Sequence, residues 1–237
     1  MNLLTRRSFA LAGIVVLALS AAACGDKEPE QRKAFIEFLQ VRIVDRPGVR
    51  VPKLTDDEVS KFGPYAAHYN VTRGFTNNPE MEGLAKQMQQ VTQRVSLNSV
   101  QELVDNRGAL RSVKDDLGKL TVAMNKALAD TLKERDGLKQ PDDLKVVYDK
   151  AFEKNVLGPA RSFNETVPMV VDIAEAGLKL ADYVDANRSK VTMQGKTVSG
   201  KDAKTQRELD NLVKNLAATA PKFQDAQRRL RIVLTGS

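Results

Sequence analysis

Few side chains in this sequence have chemistry to offer. One Cys, Cys24, and one His, His68, stand in a chain of 237 residues. A single thiol forms no disulfide within the chain and builds no thiolate metal cluster. No metal or other cofactor is therefore expected. His68 lies between Tyr65 and Tyr69, and an imidazole titrates near neutrality, as a general base must. One His could serve one triad, but a packed or surface histidine is the simpler reading. Asp142 and Asp143 are adjacent, and adjacent helical residues point about 100° apart, which makes a poor acid/base pair. That pair and Asp56-Asp57-Glu58 read as charge at helix N-termini, and Asp115 and Asp116 as a solvated face. Gly195 sits in no phosphate-binding pattern, and no Walker or dinucleotide motif is present. No catalytic residue is assigned, and an enzyme with an unrecognised site around His68 is the least favoured alternative.

The arginines are more numerous. Arg228, Arg229 and Arg231 cluster near the C-terminus, and Arg42, Arg46, Arg50 and Lys53 cluster nearer the N-terminus. Either group could touch lipid headgroups or an anionic glycan. Ordinary solvated charge is the plain alternative, because the two signs interleave along most of the chain. The formal charge is +7 at pH 7; losing residues 1–23 removes Arg6 and Arg7 and no acid, leaving +5. That excess suits an anionic surface and is no nucleic-acid signature by itself.

The N-terminus carries an export pattern. Arg6 and Arg7 precede an apolar stretch from Phe9 to Leu19, and Ala21-Ala22-Ala23 follows as a small-residue cleavage zone. The apolar stretch is shorter than the roughly 20 residues of a membrane span. Ser20-Ala21-Ala22-Ala23-Cys24-Gly25 resembles a lipobox, in which cleavage between Ala23 and Cys24 makes a lipidated Cys24 the new N-terminus. The usual Leu three residues before the Cys is Ala21 here, and an ordinary signal peptidase would also accept the three alanines. Thr5-Arg6-Arg7-Ser8-Phe9 resembles a twin-arginine signal, so the export route stays open between that and the general secretory one. Gly25, rather than Asp, directly follows Cys24, which favours the outer membrane over the inner.

These residues must be positioned by a folded body; the whole chain is 42% hydrophobic, enough for a core, with only 5% aromatics and no Trp. Leu, Val and Ala dominate, which favours helix-on-helix packing. After a lipidated tether at 24–30, Phe35, Ile36, Leu39 and Ile43 predict an amphipathic helix near 30–44, ended by Arg46-Pro47-Gly48. Phe35 and Phe38 read as core, with a partner-facing role as the alternative. Thr55-Asp56-Asp57-Glu58 is a capping box, and its helix is interrupted at Gly63-Pro64 before another over Tyr65 to Phe75. Asn77-Asn78-Pro79 restarts the chain, with Leu84, Met88, Val91 and Val95 on one face. Ser99 to Glu102 is a second capping box. Leu110, Val113, Leu117, Leu120, Met124, Leu128 and Leu132 form the clearest stripe, ending at Gly137.

Pro141 opens a helix with Leu144, Val147, Phe152 and Val156 on its face, broken by Gly158-Pro159. A helix over 160–187 has a kink or restart at Pro168. Val191 to Val198 alternates around Gly195 and reads as a hairpin. Leu209, Leu212, Val213 and Leu216 mark a further helix, and Pro221 begins the last. The expected architecture is all-α: an elongated bundle of about eight helices with one small β-hairpin near 190–198, in a single domain over 31–237.

Asp26-Lys27-Glu28-Pro29-Glu30-Gln31-Arg32-Lys33-Ala34-Phe35-Ile36-Glu37-Phe38-Leu39-Gln40, just after the lipobox-like Cys, resembles the start of the YiaF-like envelope lipoproteins. Looser matches run from Leu54-Thr55 to Lys61-Phe62-Gly63-Pro64, from Asp142-Asp143-Leu144-Lys145 to Ala151-Phe152, and from Val191 to Val198. They fall in the family's order and cover essentially the whole mature chain. The departures are the arginine pair, Ala21 and a more basic C-terminus. The resemblance implies a lipoprotein of the cell envelope and supplies no catalytic residues. The expectation is a lipid-anchored, periplasm-facing protein acting by non-catalytic binding or as a scaffold. A membrane-surface or cell-wall-associated basic module is the alternative. Its partners would be the membrane, through lipid, and an envelope protein or peptidoglycan; no nucleic acid is expected.

Overall fold

A computed structural model of the chain describes residues 27–80, 82–83, 86, 90, 99–194 and 197–237. Leu84, Met88, Val91, Val95 and Gly195 lie outside the described residues.

Helix α1 (Glu28–Leu39) starts with Pro29 and two acids in its first turn, both favourable at the positive end of a helix. Phe35, Phe38 and Leu39 are its buried residues, at the three- and four-residue steps of one helical face. It runs on into a π-turn (Gln40–Val44). Helix α2 (Asp56–Phe62) begins with the expected capping box. Thr55 Oγ1 accepts from the Glu58 N–H at 3.2 Å, and Glu58 accepts from the Thr55 N–H at 2.9 Å. Gly63, at φ +54, breaks the chain before Pro64, and α3 (Tyr65–Thr76) follows. Asn78 caps the restart at Pro79, accepting from the Glu80 N–H at 3.0 Å.

Helix α4 (Val100–Asp105) is capped by Ser99, but Glu102 returns no bond, so only half of the second capping box forms. Helix α5 (Arg107–Asp136) is 30 residues long, so about 45 Å. Leu110, Val113, Leu117, Leu120 and Met124 of its stripe are buried as expected, and Leu128 and Leu132 are partly buried. Asp116 departs from the solvated-face reading: it is 4% exposed and paired with Lys119 at 3.2 Å, because it shares the inward face with Leu120 and Val113.

Helix α6 (Asp142–Phe152), a second π-turn (Glu153–Leu157) and α7 (Gly158–Ala186) form one continuous run. The break expected at Gly158-Pro159 does not occur. The Gly158 N–H bonds the Glu153 carbonyl, five residues back, and this wider register admits Pro159. Pro168 likewise lies inside α7 without a restart. A 3₁₀ turn (Arg188–Lys190) leads to the hairpin of β1 (Val191–Gln194) and β2 (Thr197–Gly200), antiparallel with Val191 opposite Gly200. Helix α8 (Ala203–Thr235) is one helix where two were expected, with Pro221 inside it. Proline in a helix interior costs about 3 kcal/mol, yet α8, which packs against α7, runs through Pro221 without a break.

The fold class is all-α with one small hairpin. Aromatic and aliphatic residues of α1, α2, α3 and α6 make the largest core, around Phe35, Tyr69, Tyr148 and Phe152. A second gathers Leu103, Leu180, Val184, Val191 and Leu209 from α4, α7, β1 and α8. Val113, Leu117 and Val167 bridge α5 to α7 between them.

Candidate functional site

The two π-turns meet. The second places Lys154 and Asn155 against the chain that leaves the first. Lys154 Nζ donates to the carbonyls of Ile43 at 2.8 Å and Val44 at 3.0 Å, and also to that of Arg46. An ammonium on the last carbonyls of a helix satisfies orphan acceptors and suits the negative end of the helix dipole. Burial, and then the charge of Arg50, pull the Lys154 pKa below its usual value, against a smaller opposing effect of Asp45. Asn155, fully buried, accepts from the Arg50 N–H at 3.0 Å and donates to the Arg50 carbonyl at 2.6 Å, so one amide satisfies both backbone groups. Tyr69 adds a hydroxyl bond to the Pro52 carbonyl at 2.8 Å.

The C-terminus closes the other side of this loop. The Val49 N–H donates to the Leu234 carbonyl at 3.1 Å. Gly48 has φ +65, and a Cβ there would lie 2.5 Å from that carbonyl oxygen. Gly236, at φ +85, ends α8 in the left-handed conformation against Pro47.

The loop so held carries the arginines. Arg42, Arg46 and Arg50 line one open hollow of about 440 Å³ with Val49, Val51 and Pro52. Arg42 pairs with Glu58 at 3.2 Å and lies over the Phe38 ring. Arg46 Nε donates to the Val41 carbonyl at 3.2 Å and Arg50 Nη1 to the Val49 carbonyl at 3.4 Å. Neither has an acidic partner among the described residues. In the last turns of α8, Arg228 and Arg229 both bond Asp225, whereas Arg231 has no acidic partner among the described residues. The Val49–Leu234 bond sets the final turn of α8 beside the loop, so the two basic clusters read from the sequence occupy one end of the molecule. Lys154 and Asn155 were missed. The available signal was a polar pair between Phe152 and Val156, where the periodicity calls for a buried face.

The chemistry expected elsewhere does not converge. Cys24 and Ala23 lie outside the described residues. Among the described residues no group of three or more His, Cys, Asp and Glu could hold a metal ion, and no helix is long and apolar enough to cross a membrane. Asp143 pairs with Arg32 at 3.5 Å. His68 Nδ1 lies 3.2 Å from Gln140 Nε2, its ring stands edge-on to Tyr65, and its carbonyl accepts from the Tyr148 hydroxyl. A hollow of about 310 Å³ nearby is lined by Gln140, Arg135 and Asp149 and not by His68.

Burial pulls the His68 pKa below 6.5. Folding therefore favours the neutral ring, and the unfolded chain takes up the proton first as the pH falls. The stability this provides is complete above about 6.5, the value in an unfolded chain, and is lost as the pH drops through the lower folded value. Wild-type unfolding midpoints in urea should fall across that window, and His68→Gln should flatten the fall. An equal slope in the variant would show that His68 is solvated.

The profile of a family described as "Protein of unknown function (DUF3053)" matches residues 11–231. The proteins named "Uncharacterized protein YiaF" of Escherichia coli K12 and of Shigella flexneri are each 30% identical over 221 residues, which is 93% of this chain and 93% of theirs. The chain belongs to this family. No solved structure matches it. The span matched by the DUF3053 profile includes Arg42 to Arg50, Lys154, Asn155 and Arg228 to Arg231. The arginine-lined end is thus part of the family domain and not an appendage to it.

Proposed function

We propose that this chain is an exported lipoprotein, held in the cell envelope by acyl chains on Cys24, whose helical body works by non-catalytic binding at its arginine-lined end. The observation that carries the binding reading is the hollow itself: Arg42, Arg46 and Arg50 line it together, and no acid does. The export pattern, the sole thiol at its end and Gly25 after Cys24 support an anchor on the periplasmic face, with the outer membrane favoured. Two or three acyl chains, at about 0.8 kcal/mol per buried methylene, hold such an anchor stably.

The anchor constrains geometry. Three residues, Gly25 to Lys27, separate Cys24 from α1, a reach of about 10 Å. From Glu28 to Val44 the helix then runs about 25 Å to the arginines. The hollow touches the anchoring bilayer only if α1 lies along it; otherwise it faces into the periplasm.

Cys24→Ser should move the protein from the membrane to the soluble fraction of its host and abolish labelling by radioactive palmitate. Intact mass of the native protein showing an unmodified thiol, or residues 1–23 still attached, would overturn the anchor.

A further inference from the structure

Resting on the binding reading above, we infer that the hollow between Arg42, Arg46 and Arg50 is a phosphate-binding site. A guanidinium carries five N–H donors in a plane that matches two phosphate oxygens at once. Arg46 and Arg50 each place one N–H on a backbone carbonyl, at 3.2 and 3.4 Å, and these bonds orient the group while leaving other donors available. Arg42 is shared with Glu58 and is the secondary contact.

The backbone beneath them is fixed by bonds that spend none of their charge: Asn155 on Arg50, Lys154 on Arg46, and Leu234 on Val49. Arginines held in place before the ligand arrives have less entropy to lose on binding it. Like charges gathered at one hollow repel, and a bound anion relieves that repulsion. A carboxylate offers two oxygens and a single charge. A phosphate monoester offers three terminal oxygens and up to two charges, which suits three arginines lining one hollow better. Val49, Val51 and Pro52 give the hollow an apolar lip that tolerates the substituent of a phosphate ester. The phosphate could come from a lipid headgroup or from a soluble phosphate compound.

The test is calorimetric titration of the full chain in detergent with inorganic pyrophosphate and, separately, with short-chain dihexanoyl phosphatidic acid, whose headgroup is a phosphate monoester. Saturable binding should weaken roughly tenfold or more in Arg46→Gln and in Arg50→Gln. It should weaken less in Arg46→Lys, which keeps the charge and loses the fork, and stay unchanged in Lys126→Gln on α5. Both probes binding in this pattern supports a site open to headgroups and soluble phosphates alike. Pyrophosphate alone supports a soluble source, and the lipid alone a headgroup. Binding of neither probe, or binding indifferent to the Arg46 and Arg50 variants at unchanged circular dichroism, overturns the site. Arg46→Lys serves as the folded control should a Gln variant unfold. The titrations do not depend on acylation of Cys24, so failure here leaves the anchor standing, and an unmodified thiol leaves the site standing.

Discussion

Phe35→Ala is expected to remove about 3–5 kcal/mol of stability. Phe35 is fully buried, and its ring centroid lies 5.4 Å from that of Phe62, 6.1 Å from Tyr65 and 6.3 Å from Phe38. Truncation removes the ring's transfer energy and leaves a cavity between three rings that α1, α2 and α3 hold apart, so collapse around it is limited. Against a typical total of about 5–15 kcal/mol, such a loss puts the domain at the margin of folding. Urea unfolding should show a large drop in midpoint with the slope preserved. Phe35→Leu, which fills most of the space, should cost much less. A loss below about 1 kcal/mol for Phe35→Ala would mean that α1 does not pack in solution as described here. It would also revive the partner-facing role considered for Phe35 and Phe38, which their burial at 0% and 6% exposure argues against.

Asn155→Leu is expected to cost about 2 kcal/mol. Leu keeps the branched shape and heavy-atom count of Asn but can make neither of the two bonds to Arg50, leaving one donor and one acceptor of the backbone unmet. The figure is not larger because Arg50 is exposed, and water reaches part of its backbone once the loop loosens. The local effect should exceed the global one. Hydrogen exchange at the amides of Val49 and Arg50 should accelerate strongly, and the turn at Gly236 should follow, because the Val49–Leu234 bond depends on the same loop. Pyrophosphate binding should weaken with it, although Asn155 does not line the hollow. Unchanged exchange at Arg50 would show that Lys154 and the α8 terminus hold the loop without Asn155.

Much of the fold was legible because its signals are local. The stripe from Leu110 to Leu132, the box at Thr55 and Glu58, and the alternation over 191–198 each express rules that act within a few residues. The structure reproduces them at nearly the expected positions. The prolines misled for the same reason. Pro159, Pro168 and Pro221 are helix breakers by local rule, but a π-turn register admits the first, the second lies beside the buried Thr166 and Val167, and α8 runs unbroken through the third.

Sequence alone determined the helical class, the single thiol just after an apolar N-terminal stretch, and the presence of two basic clusters. Only the tertiary structure decided that those clusters share one end and that three arginines line one hollow. The contacts responsible join Val49 to Leu234 near the far end of the chain, Arg50 to Asn155, 105 residues apart, and Ile43 to Lys154, 111 residues apart. No periodicity encodes a separation of that kind. It is set by which helix faces bury together, and the positions of the charged side chains follow from that packing.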